Sequence, residues 1–265
     1  MIRFRNFWLP IWNRKMSMKN LYENDLLYRT TGPALRPGGF ELTDWAVEHC
    51  RFQAGDRILD VGCGRGATVN RLRSHYHLEA YGIDPSATLL TLGQETYPDL
   101  PLSKGRGEDI PFTNSCFDGV FVECSLSLMT DPDQALSEIR RVLKVKGKLI
   151  IHDVYARNPQ GTPDLRELNI GTCIRNALVK EDLEHGLESK GLRTIHWQDH
   201  SPLLNRLMME LIMTHGSMSA FWLKSTDCSA DPNRVQAALK KAKVGYFQLI
   251  AEKEAEKEAE HCPVR

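Results

Sequence analysis

The residues with the most chemistry in them stand in one run, Ile58-Leu59-Asp60-Val61-Gly62-Cys63-Gly64-Arg65-Gly66. An apolar stretch ends in a carboxylate and passes into a glycine turn that leads to Ala67. Glycine lets backbone N–H groups approach a ligand where a Cβ would block them. A helix starting near Ala67 presents its positive end to an anionic group. Asp60, at the strand tip, is placed to hold a cationic amine. Together these suit an amino-acid-like ligand rather than a pyrophosphate. Further on, a second apolar stretch ends in Gly82-Ile83-Asp84-Pro85, and an acid at that position accepts hydrogen bonds from a ribose diol. Taken alone, Gly62-x-Gly64-x-x-Ala67 also satisfies the dinucleotide fingerprint, so the turn leaves a nicotinamide-dependent oxidoreductase open. Asp60, and the lack of a Tyr-x-x-x-Lys dyad, count against that reading.

Such tips need a sheet beneath them. Between residues 57 and 154, short β-branched runs alternate with amphipathic stretches, the pattern of βαβ units and a parallel sheet. Strands are expected at Arg57–Val61, Glu79–Ile83, Leu102–Lys104, Phe117–Glu123 and Lys148–Val154. The clearest helix is Pro132–Leu143, with Asp131 as its cap, proline at the first position and Gln134 completing a capping box. Its apolar face is Ala135, Leu136, Ile139, Val142 and Leu143, leaving Glu138, Arg140 and Arg141 wet. Lys146-Gly147 then turns into the next strand. Beyond residue 156 the reading gives helices at Glu181–Lys190, Leu203–Met213 and Asp231–Lys243, and strands at Arg193–Trp197 and Tyr246–Ala251.

The bulk numbers fit one α/β domain with additions. The chain has 265 residues, 42% hydrophobic and 26% charged, and a formal net charge of +0, so no basic field invites nucleic acid. Seven cysteines without C-x-x-C or zinc-finger spacing read as reduced thiols, and a cytoplasmic location is expected. The aromatic, basic start from Met1 to Trp12 lacks a continuous apolar run long enough for a signal or a span. It reads either as a peripheral anchor or as sequence upstream of a start at Met16 or Met18. Four regions follow: a possible lid at 1–40, a ligand-binding core at 41–155, a substrate-side insert completing the sheet at 156–252, and a charged, solvated tail at 253–265.

The ordered set LDVGCGRG, GIDPS, GEDIPF, FDGVF and LKVKGKLII resembles the class I S-adenosylmethionine (SAM)-dependent methyltransferases, in their ubiquinone/menaquinone-methyltransferase-like branch, over about residues 45–155. The resemblance implies a Rossmann-like, mostly parallel seven-stranded sheet with helices on both faces and an antiparallel last strand. It implies SAM as cofactor, with Asp60, Gly62, Cys63 and Gly64 around the methionine end, and Asp84 and Pro85 at the ribose. Glu108, Asp109 and Ile110 would lie along the adenine, and Glu123, Cys124 and Ser125 beside the sulfonium. Two departures stand out: Arg106 replaces an acidic residue frequent in relatives, leaving adenine to Asp109 or backbone, and Cys124-Ser125-Leu126-Ser127-Leu128 replaces a histidine pair. The second motivates a rival reading as a catalytically idle SAM-binding module.

Methyl transfer needs alignment and exclusion of water more than any fixed catalytic group, so the acceptor is expected to be a small molecule on the substrate side. Tyr22 to Tyr28, with Gly32-Pro33 and Gly38-Gly39, is a candidate lid whose two tyrosines would close over the cofactor. The stretch from Asp153 through Gly171-Thr172-Cys173-Ile174 resembles the arsenite methyltransferases, which implies a thiol-bound metalloid as an alternative acceptor at Cys173, with Cys63 and Cys228 as further thiols. His200 is a candidate general base, set against a capping role. Met208, Met209, Met213 and Met218, with Leu204, Leu207 and Leu211, line an adaptable pocket, or form a plain core or a dimer seam. The candidate catalytic residues are therefore Cys173, His200 and Tyr28. His75 and His77 have no further ligands nearby, and no metal is expected.

Overall fold

The computed structural model describes residues 21–255 except Asn24 and residues 227–229. The aromatic start, Met16, Met18, Cys228 and the chain beyond residue 255 lie outside the described residues.

Seven strands form one sheet: β1 Arg57–Val61, β2 Glu79–Asp84, β3 Leu102–Lys104, β4 Phe117–Glu123, β5 Leu143–Ala156, β6 Leu192–Asp199 and β7 Val244–Lys253. Their order is β3-β2-β1-β4-β5-β7-β6, with β7 antiparallel to both neighbours. Alternate side chains leave a strand on opposite faces, and here both faces are buried. Leu59, Val120, Ile151 and Leu249 enter one core, while Ile58, Phe121, Ile150 and Ile250 enter another. That is why these runs are nearly continuous in apolar residues rather than alternating. The strand order reverses between β1 and β4, the crevice where open α/β sheets bind ligands.

Five details depart from the sequence reading. Leu143 ends no helix. The helix is Pro132–Val142, and Leu143 begins β5, fully buried and paired with Phe117. Lys146-Gly147 is an irregularity inside β5 rather than a turn before it. Phe117 faces Leu143 and Gly119 faces Lys148, so extra residues loop out around Lys146, at φ 65°. The capping box is half formed: Asp131 accepts from the Gln134 N–H at 3.0 Å, but the Gln134 side chain turns to the carbonyl of Glu108. Arg141 is half-buried, donating to Glu138 and to the carbonyls of Ile110 and Phe112. At the other end, Lys253 belongs to β7 and not to the tail. It is buried, and its amine donates to the carbonyl of Leu143 at 2.6 Å.

The substrate side adds helices at Thr162–Arg166, Lys180–Ser189, Ser201–His215, Met218–Ser225 and Pro232–Ala242. With the N-terminal helix Asp25–Thr31, all of these but Lys180–Ser189 pack around Leu211, Phe221, Trp222 and Tyr246, while Lys180–Ser189 buries Leu183 and Leu187 in the core that holds Leu59 and Leu249. Among the described residues, no helix is long and apolar enough to cross a membrane.

Candidate active site

A cavity of about 830 Å³ opens above the tips of β1, β2 and β4, within the range of small-ligand pockets. Asp60, Gly62, Cys63 and Gly64 line it from the first turn, and Asp84 and Pro85 from the second. Glu108 closes one side, and Glu123 and Cys124 another. The glycine turn is fixed by sterics. Gly62 sits at φ 82°, and a Cβ there would lie 2.4 Å from the Cβ of Ser125, so no other residue fits. Asp84 braces this turn, its carboxylate accepting from the N–H of Gly64 at 2.9 Å and of Ser86 at 2.8 Å.

The loop after β3 splits the expected adenine trio. Glu108 lines the cavity, whereas Asp109 and Ile110 do not. A tight turn pairs Arg106 with Asp109 and leaves Asp109 in solvent. Ile110 drops into the core, and its N–H donates to Glu138 at 3.0 Å. Burial works against the charge on Glu108. The N–H groups of Thr130 and Asp131 and the Arg106 guanidinium outweigh it and hold the carboxyl below its usual range. Arg106 thus braces Glu108 and Thr130 from the cavity rim.

Glu123 is the hub of a buried polar cluster. It accepts from Thr43 at 2.8 Å and Thr68 at 2.6 Å, pairs with Arg36 at 3.0 Å, and lies 2.9 Å from His152 Nδ1. His152 in turn meets Gln248 at 2.9 Å, and Gln248 donates to the carbonyl of Leu42. Glu123, His152 and Gln248 are register partners on three adjacent strands. Burial penalises the Glu123 charge, yet Arg36 and His152 hold its carboxyl at about 2, while burial lowers His152. Arg36, Thr43, Thr68, His152 and Gln248 carry no motif. The visible signal was a polar residue inside each apolar strand, His152 in LIIHDV and Gln248 in YFQLIA.

The cavity's donor set fits an amino-acid-like ligand. Asp60 is buried, and desolvation together with the nearby charge of Glu123 pushes its carboxyl well up. An arriving ammonium group reverses that penalty. Across the wall, Arg36 and Arg65 each keep a buried Nε with no hydrogen-bond partner, so donors for a carboxylate are in place.

The N-terminal segment packs along this cavity. Glu23 accepts from Ser86 Oγ at 2.7 Å, and Asp25 pairs with Arg65 at 2.9 Å. Tyr22 lines the cavity, but Tyr28 does not; its ring lies under the Arg65 guanidinium, 4.5 Å from ring centre to guanidinium carbon. A second, apolar cavity of about 420 Å³ adjoins the first. Tyr22, Leu35, Cys124 and Thr172 line both, and so mark the junction. Leu204, Leu207, Met208, Leu211 and Met218 line the second cavity as expected. Met209 and Met213 do not; they are 67% and 86% exposed on the outer face of their helix.

Cys173 lines the second cavity at the start of a short 3-10 turn, and its N–H donates to the Tyr22 hydroxyl at 3.3 Å. Its thiol neighbour is Cys124 rather than Cys63. The ligand atoms of Cys124, Asp153 and Cys173 lie within 4.8 Å of one another, all buried. Cys63 instead faces Gly82 in the other core. No group containing His75 or His77 shares metal-ligating geometry among the described residues. His200 lines neither cavity. It occupies the N-cap position of the helix Ser201–His215, and its N–H donates to Tyr246.

Residues 59–151 match the Methyltransferase domain family. Over 97 residues the chain is 33% identical to a demethylmenaquinone methyltransferase of Renibacterium salmoninarum, covering 37% of this chain and 40% of that protein. It is 30% identical over 153 residues to the O-methyltransferase cnsE of Penicillium expansum, covering 55% of each. The chain spans about half the length of the curated relatives it matches. Among solved structures, that of the [4+2]-cyclase SpnF superposes with a TM-score of 0.69 at 23% identity, covering 89% of this chain and 93% of the other. That likeness concerns the fold alone. Residues 59–151 thus form a class I SAM-dependent methyltransferase domain, and the seven-stranded sheet has that class's Rossmann-like architecture.

Proposed function

We propose that this chain is an enzyme that transfers a methyl group from SAM to a small-molecule acceptor, with SAM in the larger cavity and the acceptor meeting it at the Tyr22–Cys124–Thr172 junction. The observation that carries the reading is the joining of two chemically different cavities along that line. SAM, when bound, would supply a methyl group on a cationic sulfur for in-line transfer to the acceptor's lone pair, the C–S electron pair remaining on sulfur and the acceptor's proton going to solvent.

The chain's own residues bind, orient and exclude water. Asp60 takes the ammonium group, Arg36 and the glycine turn the carboxylate, Asp84 and Pro85 the ribose, and Glu108 and the loop backbone the adenine. Asp109 and Ile110 act from behind that loop. Glu123 holds the N-terminal segment through Arg36 and Thr43, which keeps the lid shut over the cofactor. Burial, then the neighbouring thiols of Cys173 and Cys124, raise Tyr22 well above its ordinary value. Its phenol therefore stays protonated and orients the acceptor as a hydrogen-bond donor. The relatives' printed names, a demethylmenaquinone methyltransferase and an O-methyltransferase, favour a small organic acceptor.

A second reading, a thiol-bound metalloid as acceptor, draws on Cys124 and Cys173, since soft ions favour thiolates. Against it, the group offers two thiols and a carboxylate, Cys124, Cys173 and Asp153, rather than three thiols. The leading reading predicts that arsenite with added thiol produces no S-adenosylhomocysteine.

Photocrosslinking with methyl-tritiated SAM, followed by peptide mapping, tests the proposal. Label is expected on peptides containing residues 60–66 or 123–125, and competed by S-adenosylhomocysteine. Label elsewhere, or none, overturns it.

A further inference from the structure

The second cavity is one-sided in charge. Arg157, Lys240 and Lys243 line it, and no aspartate or glutamate does. The three cations are brought together by local structure. Gln236, Leu239, Lys240 and Lys243 recur at helical spacing along and just past Pro232–Ala242. Arg157 Nε donates to the carbonyl of Lys243 at 3.0 Å. Nearby carboxylates are engaged elsewhere: Asp164 pairs with Lys241 and Glu167 with Arg234. Among the described residues, no carboxylate forms an ion pair with Lys240 or Lys243.

The chamber therefore has two chemically distinct ends. None of the three cations lines the cofactor cavity, whereas the junction residues line both. The cations stand exposed at the rim, while Leu211, Phe221 and Trp222 are buried inside. We propose that this chamber holds the methyl acceptor and that the acceptor is an amphiphilic acid. Its apolar body fills the chamber, its anionic group sits at the basic rim, and its methyl-accepting atom reaches the junction. The inference rests on the methyl-transfer reading above. Apolar burial supplies most of the affinity, and exposed cations choose between acid and amine rather than adding much.

The test is calorimetric titration of the full chain with dodecanoate, dodecanol and dodecyltrimethylammonium, beside a SAM titration. Dodecanoate is expected to bind at least about tenfold tighter than the ammonium. Lys240→Glu with Lys243→Glu should abolish that preference and leave dodecanol binding in place. Leu207→Trp, which fills the chamber, should block all three probes while SAM binding persists. Dodecanoate that fails to bind a SAM-competent chain, or binds no tighter than the ammonium, overturns the inference. So does undiminished binding to a Leu207→Trp variant of unchanged melting temperature. Failure of SAM itself to bind overturns the methyl-transfer reading instead, and the charge-reversal comparison still reports on the chamber.

Discussion

The two cavities are built in opposite ways. The cofactor cavity is floored by consecutive strand tips, so its floor is a list of short motifs, 60–65, 84–86, 105–108 and 123–125, with pieces of 22–36, 128–130 and 170–176 completing the wall. The acceptor chamber gathers short pieces scattered from 21 to 244 over the N-terminal segment, the end of β5 and the added helices. The first is the more polar, with buried carboxylates and the buried Arg36; the second is apolar, with charge only at its rim. A recurring cofactor demands fixed groups at fixed places, which a sheet tip supplies. An acceptor demands shape, which many side chains can supply in many combinations. The Arg36–Glu123 pair links the two, because it ties the N-terminal segment, whose Leu35 lines both cavities, to the strand tip at the larger one.

Breaking that bridge should have the largest effect. Arg36→Ala leaves Glu123 charged and buried without its cation, which costs about 3–5 kcal/mol. Thermal or urea unfolding measures the loss, and both ligands should weaken together. If only one weakens, the cavities are independent. Acid probes the same bridge. The Glu123 carboxyl is lowered from 4.5 to about 2, so its contribution is fully present above pH 4.5 and fades as pH falls towards 2. Unfolding midpoints across that window should drop in the wild type, and less steeply in Glu123→Gln.

At the junction, Tyr22→Phe removes the donor without the ring. Turnover should fall about tenfold while SAM affinity stays put, seen as S-adenosylhomocysteine formation with any competent acceptor. The smallest effect is expected outside both cavities. Met213 is 86% exposed, so Met213→Ser should change stability by less than about 0.5 kcal/mol and leave both ligands alone.

The same contrast explains what was legible in the sequence. Strand tips carry their chemistry locally, so Asp60, Gly62 and Asp84 could be read from a few neighbours. Asp109 and Ile110 could not, because a one-residue change of direction in the loop decides which side chain faces the ligand. The Glu123 network was hidden because its members lie far apart in sequence and meet only through strand register. Arg36 sits in an N-terminal segment with no periodicity. Met209 and Met213 show the limit of helical spacing: composition marked the helix, but packing against Phe221 and Trp222 chose which methionines turned inward. Cys124, read as bordering a sulfonium, proved also to be the thiol neighbour of Cys173, a proximity no spacing records.

The central claim, that the larger cavity is a SAM site, is tested most directly by calorimetric titration with SAM and S-adenosylhomocysteine, with NADH as control and Gly62→Val alongside. The account predicts micromolar binding of both sulfur ligands, none of NADH, and at least about a hundredfold loss in Gly62→Val, whose side chain would strike Ser125. Binding of NADH, or a Gly62→Val protein that titrates with SAM as the wild type does, would contradict it.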